Sequence, residues 1–434
     1  MSLDSMSSEA EFPSLRLTSE ERSMFAGEEG QAVQIAMRIL ARVAPLYGAT
    51  SLLPITKAHI DGCIYEGEAG LEFAERLARL GAKVRVPTSL NVISLDRQSW
   101  QSHGLDAEYA ARARRLGQAY LDMGATPSFT CAPYQTEAAP AFGEQIAWSE
   151  SNAVAYANSV IGARTNRYGD YLDACCAITG RVPAAGLHLD EHRLGQVLVS
   201  LRGIPRGLQR RDDFYPVLGY FLGSTVSDGV PVVEGLEEHP TEDQLKALAA
   251  AAASSGAIAL FHLAGITPEA PTTAAAFGER PATRTIEVTI DDLRAARDSL
   301  TTTSSTGPVD VIAFGSPHCS VAECRHLAAL MAGQRKANSV DVYITTSRAV
   351  KAILDRSGDL DTLVRFGATV TADTCIVVAP LVRKDARVLM TNSAKYAHYG
   401  PGIIGVEAVF ATTEACVDSA VAGRVVVDDG PWIQ

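Results

Sequence analysis

Two spacings of apolar residues take turns along the chain. In LEFAERLARL, residues 71–80, Leu71, Ala74, Leu77 and Leu80 fall every third position, which predicts a helix with one buried face. Gly81 closes it, and the KVRVP that follows reads as a strand. With LLPIT (52–56) as an earlier strand and HIDGCIYEGEAG as a glycine-punctuated loop, the unit is strand, loop, helix, strand. The same order recurs. AEYAARARRLGQAYLDMGA (107–125) is helical and leads into PSFTCAPY; PVDVIAFGSPHCSVAECRHLAALMAG is strand, loop and helix; SVDVYITTSRAVKAILDRSG repeats it; TVTADTCIVVAP adds a further strand ending. Near the start, Thr18 reads as the N-cap of a helix running through TSEERSMFAGEEGQAVQIAMRIL, with acids in its first turn. This alternation predicts an α/β fold: several parallel or mixed sheets flanked by helices, with the active site at strand C-terminal ends between domains.

A length of 434 residues implies more than one domain. Segments 226–243 and 266–284 are rich in Pro, Gly and small polar residues, so boundaries are expected near them. The division read this way is a flexible leader (1–17), a first α/β region (18–235) and a second (236–434). Thirty-five glycines and the alanine run at 247–254 suit tightly packed α/β layers.

Charge narrows the partners. A net charge of −12 and a pI near 5.3, with no stripe of Lys and Arg, exclude a nucleic-acid binder and leave a small molecule as the default ligand. No apolar run approaches the roughly 20 residues that span a bilayer, and MSLDSMSSEAEF is polar and acidic where a signal peptide is basic and then apolar. A cytoplasmic protein with no membrane partner is expected. Eight cysteines (63, 131, 175, 176, 319, 324, 375 and 416) spread over such a length are then thiols or ligands rather than a disulfide framework.

Three of these thiols share a context. Cys131 in SFTCAPY, Cys319 in FGSPHCS and Cys375 in ADTCIVV each sit near a strand segment beside polar or turn-forming residues. Brought together, they suit an iron–sulfur cluster with one iron left for substrate; taken singly, each is equally a small buried apolar side chain. Cys175, Cys176, Cys324 and Cys416 are assigned to the core. TNSAKYAHYGPG (391–402) and WSESNAVAYANSVIGARTNRYGD (148–170) are dense in hydrogen-bonding groups, which is costly to bury without partners. Each is either a ligand loop or a solvated turn or cap. Within the second, Glu150 beside Ser151 makes an acid/base pair. His59 and Asp61 in AHIDGCIY are ligands or hydrogen-bonded structural groups, and His318 orients a substrate or caps the next helix. There is no Walker loop, no GxGxxG after a strand, no HExxH and no GxSxG.

AHIDGCIY, PTSLNV, SFTCAPY, AWSESNAVAYANSVIGARTNR, GSPHCS, ADTCIVVAP and TNSAKYAHYGPG, in this order between residues 58 and 402, resemble the large (catalytic) part of aconitase X. The resemblance implies an aconitase-like fold and an iron–sulfur hydro-lyase, with cluster ligands at Cys131, Cys319 and Cys375 and a nuclearity between 2Fe-2S and 4Fe-4S. It also implies substrate contacts at Gly62, Cys63, Ile64, Asn91, Glu150, Ser151 and Lys395, with Ser151, Glu150 and Lys395 catalytic. The implied reaction is dehydration of cis-3-hydroxy-L-proline to 1-pyrroline-2-carboxylate. The DGCI and Asn91-Val92 stretches depart from the SGVS and NP of the archaeal branch, which leaves mevalonate 5-phosphate, or another small hydroxy acid, as the alternative substrate. A separate small swivel-domain subunit is the implied partner. A ligand-binding subunit with structural cysteines is the non-enzyme alternative.

Overall fold

The computed structural model describes residues 14–304, 306–427 and 430–433. Its first helix, Ser19–Ala26, begins where the sequence signals it. Thr18 accepts from the Glu21 amide at 3.3 Å while the Glu21 carboxylate accepts from the Thr18 amide at 2.8 Å, a reciprocal cap. Gly27, at φ +89°, ends it, so the expected single helix is two, the second being Gln31–Val43. Residues 1–13 of the expected leader lie outside the described residues. Residues 14–17 are tied down: Leu15 is buried in the core and the Arg16 amide donates to the Thr50 carbonyl at 2.9 Å.

The first module holds a parallel three-stranded sheet in the order Thr88–Leu90, Lys57–Ile60, Ile146–Trp148. Helices Glu68–Arg79, Ala107–Asp122 and Leu172–Thr179 flank it, and Leu52–Pro54 pairs antiparallel with Arg181–Pro183. KVRVP is not a strand. The Val84 and Arg85 amides donate to the Met123 and Ala177 carbonyls at helix ends, so the ladder starts only at Thr88.

The second module is a parallel four-stranded sheet ordered His262–Leu263, Pro231–Glu234, Val197–Ser200, Arg284–Glu287. The boundary expected at 235/236 falls inside this sheet, in the connection between two paired strands. Helices Phe214–Val226 and Glu242–Ser255 cross there with backbones so close that a Cβ at Gly219 or Gly223 would meet the carbonyls of Leu248 or Ala252.

The third module is a parallel five-stranded sheet ordered Thr369–Ala372, Asp341–Thr346, Val311–Cys319, Val388–Thr391, Glu407–Phe410. The central strand is buried at every residue, as a parallel strand covered on both faces must be. Its register against Asp341–Thr346 shifts between Phe314 and Cys319. Gly315 permits this: its φ is +102° and a Cβ would collide with the Thr345 carbonyl. One buried ion-pair network locks the first module to the third. Asp96, fully buried, accepts from Arg348 Nη2 at 2.9 Å and from the Ala372 amide at 3.0 Å, and Arg348 also binds Asp373. Among the described residues, no helix is long and apolar enough to cross a membrane.

Candidate active site

Cys319 is the last residue of the central strand of the third sheet. Cys375 lies three residues beyond Thr369–Ala372, also at a strand's carboxyl end. Cys131 comes from the first module and follows an irregular stretch rather than a strand, a difference from the expected context. That stretch is held by main-chain bonds to the edge of the first sheet, Thr126 N to Thr88 O at 2.8 Å and Thr130 N to Leu90 O at 3.1 Å.

His318 joins the three segments. Its amide donates to the Cys131 sulfur at 3.2 Å, ring Nδ1 lies 3.1 Å from the Thr130 hydroxyl, and Nε2 lies 3.0 Å from the Thr374 carbonyl. A carbonyl only accepts, so Nε2 carries the proton and Nδ1 accepts from Thr130. His318 therefore precedes one cysteine and is bonded to the residues that precede the other two. It does not cap the next helix; Ser320 does, reciprocally with Glu323. Burial, with the Thr374 carbonyl opposing, lowers the His318 pKa to about 4, so the ring is neutral.

All eight cysteines are free and buried. Burial pushes the Cys131 thiol up to about 12, with Glu150 adding to it and Lys395 opposing. Cys375 is raised by burial, and Cys319 by a hydrogen bond with Cys324 as well as by burial. The fully buried Tyr396 lies within electrostatic reach of all three, and its hydroxyl is 3.0 Å from the Thr345 hydroxyl. Among the described residues no three His, Cys, Asp or Glu side chains converge tightly enough for a single ion. The donor set is three soft thiols without a carboxylate, and the buried Thr374 hydroxyl beside Cys375 lacks a partner. Such a set fits an iron–sulfur cluster rather than a hard cation.

Beside the thiols, the Lys395 ammonium pairs with Glu150, both largely buried. Glu150 caps the helix Ser151–Tyr156, accepting from the Ala153 amide at 2.8 Å. Burial raises its carboxyl, but Lys395, the Ala153 amide and Asn152 outweigh it, and the net shift is downward. Lys395 is lowered by burial and raised more by Glu150. Its segment is not a loop: Ala394–Tyr399 is a helix capped by Ser393. Lys395 and Cys319 both line a cavity of 620 Å³ between the second and third modules, together with Lys246, Glu323 and Ser393.

The rest of the expected site splits into two groups. Asn91 and the Asp61–Ile64 loop adjoin it: the Asn91 amide donates to Ile60 O at 2.9 Å, and its side chain donates to Asp61. Gly62 packs against Tyr120 and Tyr171. Ile64 is half-buried and Ser151, the first helical residue after Glu150, is also half-buried. The Cys63 thiol is buried and donates to the Asn91 carbonyl at 3.2 Å. The polar density further along, at Asn158, Thr165 and Asn166, is structural; these side chains bond main-chain groups and Arg193. Asn152, one of the polar groups of 148–170 expected to need partners, links Glu150 to the Cys131 carbonyl at 3.1 Å; Tyr396 was not singled out by sequence, although it adjoins Lys395, which was.

Thiols gathered at module ends beside a buried lysine–carboxylate pair, on three parallel sheets, define a protein of aconitase-like fold. Aconitase X from Thermococcus kodakaraensis, solved in its holo-form, superposes with a TM-score of 0.83 at 36% identity, covering 94% of this chain and 100% of that one. The chain belongs to the aconitase X family: profiles of its first, second and third domains match residues 14–191, 195–298 and 309–422. A cis-3-hydroxy-L-proline dehydratase of Pseudomonas aeruginosa is 48% identical over 96% of this chain and 72% of its own length. A phosphomevalonate dehydratase large subunit of Methanothermobacter thermautotrophicus is 39% identical over 90% and 95% respectively.

Proposed function

We propose that this chain is the large part of a hydro-lyase that dehydrates cis-3-hydroxy-L-proline to 1-pyrroline-2-carboxylate. What carries the reading is the buried Lys395–Glu150 pair set beside Cys131, Cys319 and Cys375, in a chain 48% identical to a dehydratase of that name. The greater distance of the phosphomevalonate relative favours the imino acid over the phosphorylated alternative.

Water elimination next to a carboxylate needs the Cα proton removed and the departing hydroxide stabilised. A cluster held by Cys131, Cys319 and Cys375 supplies a Lewis-acidic iron for the second need. The chain's own residues meet the first. Lys395 is a point charge for the substrate carboxylate. When that carboxylate takes over Lys395, Glu150 loses the cation that holds its pKa down and becomes a stronger proton acceptor, in the sense that opposite charges set carboxylate basicity. Ser151 stands next to it in the helix and is the second acid/base group. Gly62, Cys63 and Ile64 offer backbone, and Asn91 its side-chain amide, to the substrate. A separate small swivel-domain subunit completes the site, a reading supported by the words "large subunit" in the archaeal relative's name. Eight unpaired thiols support a reducing, cytoplasmic setting.

The test is turnover by the cluster-loaded protein with its small subunit. Formation of 1-pyrroline-2-carboxylate from cis-3-hydroxy-L-proline, with none from mevalonate 5-phosphate, is the expected result. The reverse preference overturns it, and a colourless protein without iron or sulfide that binds but does not convert either acid makes the chain a binding subunit.

A further inference from the structure

The aspartate that opens the first loop, Asp61, is not explained by the reaction so far. Its backbone is fixed from below. The buried Asp173 carboxylate accepts the Asp61 amide at 2.6 Å and the Gly62 amide at 3.3 Å. The Asp61 side chain is thereby left to face Asn91, whose Nδ2 donates to it. Asn91 is 2% exposed, and its other polar atom, Oδ1, is buried with no partner.

These two side chains adjoin the site through their neighbours along the chain. Asn91 lies between Leu90, whose carbonyl takes the Thr130 amide at 3.1 Å, and the segment where the Ile93 amide meets the Asp373 carbonyl at 2.8 Å. Both contacts lead within two residues to a cysteine, Cys131 on one side and Cys375 on the other. Glu150 is within electrostatic reach of Asp61 but is already matched by Lys395. Among the described residues Asp61, Asp170 and Asp173 make no ion pair with Lys or Arg of the kind that Asp96 and Glu150 make. Burial, Glu150 and Asp170 raise the Asp61 carboxyl well above its usual range, in that order, so that its charged form is favoured only when a cation comes to lie beside it.

We propose that Asp61 and Asn91 form the recognition site for a protonated secondary amine. The two N–H bonds of such an ammonium match the two acceptors on offer, one carboxylate oxygen of Asp61 and the partnerless Oδ1 of Asn91. With Lys395 as the cation for a carboxylate, the site carries complementary charges for a zwitterion whose amine and acid share one carbon. The specificity for a cyclic imino acid thus resides in Asp61, which would repel a phosphorylated anion. This inference rests on the imino-acid reading above and adds the residue that reads the nitrogen.

The experiment uses the cluster-loaded enzyme with its small subunit and compares three competitive inhibitors of one shape: L-proline, with two N–H donors and a positive charge, and cyclopentanecarboxylate and tetrahydrofuran-2-carboxylate, with neither. A charge-assisted hydrogen bond is worth about 1.5–3 kcal/mol, so the wild type is expected to prefer L-proline by about 10- to 100-fold. In Asp61→Asn that preference falls towards unity, and KM for cis-3-hydroxy-L-proline rises by a similar factor while kcat changes less. Asp61→Glu restores part of it. Equal inhibition of the wild type by all three compounds overturns the proposal, as does an undiminished preference in a folded Asp61→Asn. If Asp61→Asn does not fold, the wild-type comparison decides alone. Failure of the functional reading is distinct: the wild type then makes no product from cis-3-hydroxy-L-proline, whatever its inhibitor preference.

Discussion

The His318 amide donates to the Cys131 sulfur at 3.2 Å, while the ring of the same residue spans from the Thr130 hydroxyl to the Thr374 carbonyl. One side chain thus fixes the spacing of three segments that meet only in the folded state. His318→Ala is expected to leave the fold intact by circular dichroism and to weaken retention of iron about 10- to 100-fold, the range for residues that orient metal ligands. His318→Gln, which keeps a donor, should lie between. Iron loss to a chelator, followed by visible absorbance, measures this; retention equal to wild type in His318→Ala would refute the positioning role.

The thiols themselves make a simpler prediction. Cys131→Ser, Cys319→Ser and Cys375→Ser should each yield protein with little iron and sulfide, no brown colour and no dehydration. Cys416→Ser, on the helix Thr413–Ala422 and outside the ligand set, should keep both. A coloured, active Cys375→Ser enzyme would remove that residue from the ligand set.

Lys395 and Glu150 should behave as a unit. Removing either partner of a buried pair leaves an uncompensated charge, which costs about 3–5 kcal/mol. Lys395→Met and Glu150→Gln should each destabilise on that scale and abolish turnover, whereas the double variant should recover much of the stability and none of the activity. The Glu150 pKa is lowered, so its contribution is present above the ordinary carboxylate range and lost as pH falls through its depressed value. The Lys395 pKa is raised, so its contribution is lost only as pH rises beyond the ordinary lysine range. Between these limits the pair's contribution is flat. Denaturant titrations at several pH values provide the check.

Acid should unfold the first module through His188. Its Nε2 meets the Tyr168 hydroxyl at 2.6 Å and its Nδ1 the Gln145 side-chain oxygen at 2.6 Å. Burial, then Arg193 and Arg164, lower its pKa to about 3. For a base depressed on folding, the unfolded chain takes up the proton first, so stability declines as pH falls from about 6.5 towards 3 and is unaffected above that window. His188→Gln should flatten this limb of the melting temperature against pH; an unchanged slope would assign the acid sensitivity elsewhere.

Local pattern carried much of the architecture. The Thr18 cap, the helix around Leu71–Leu77 and the run VIAF are short-range signals, and each appears where its residues predict, but the loop expected at GSPHC is instead strand as far as Cys319. What escaped depends on partners far along the chain. KVRVP has a strand's composition, but its amides are taken by the ends of two helices. Cys131 is placed by bonds to Leu90 rather than by a strand of its own. Arg348 and Asp96, 252 residues apart, carry no local mark of their pairing. In the site, Glu150 and Lys395 stood out as charges among small residues and Asn152 as one of several polar groups in need of a partner, while Tyr396 looked like helix filler. Only burial and contact distinguish it.

The placement of the thiols has a further consequence. Cys131 belongs to the first module, and Cys319 and Cys375 to the third. A prosthetic group bound to all three is therefore a covalent bridge between parts of the chain that fold as separate sheets. Seating it would require both to be formed. Loading would then act as an inspection step in biogenesis: a chain with either half misfolded would be left pale, and pigment would report on whether the modules had found each other.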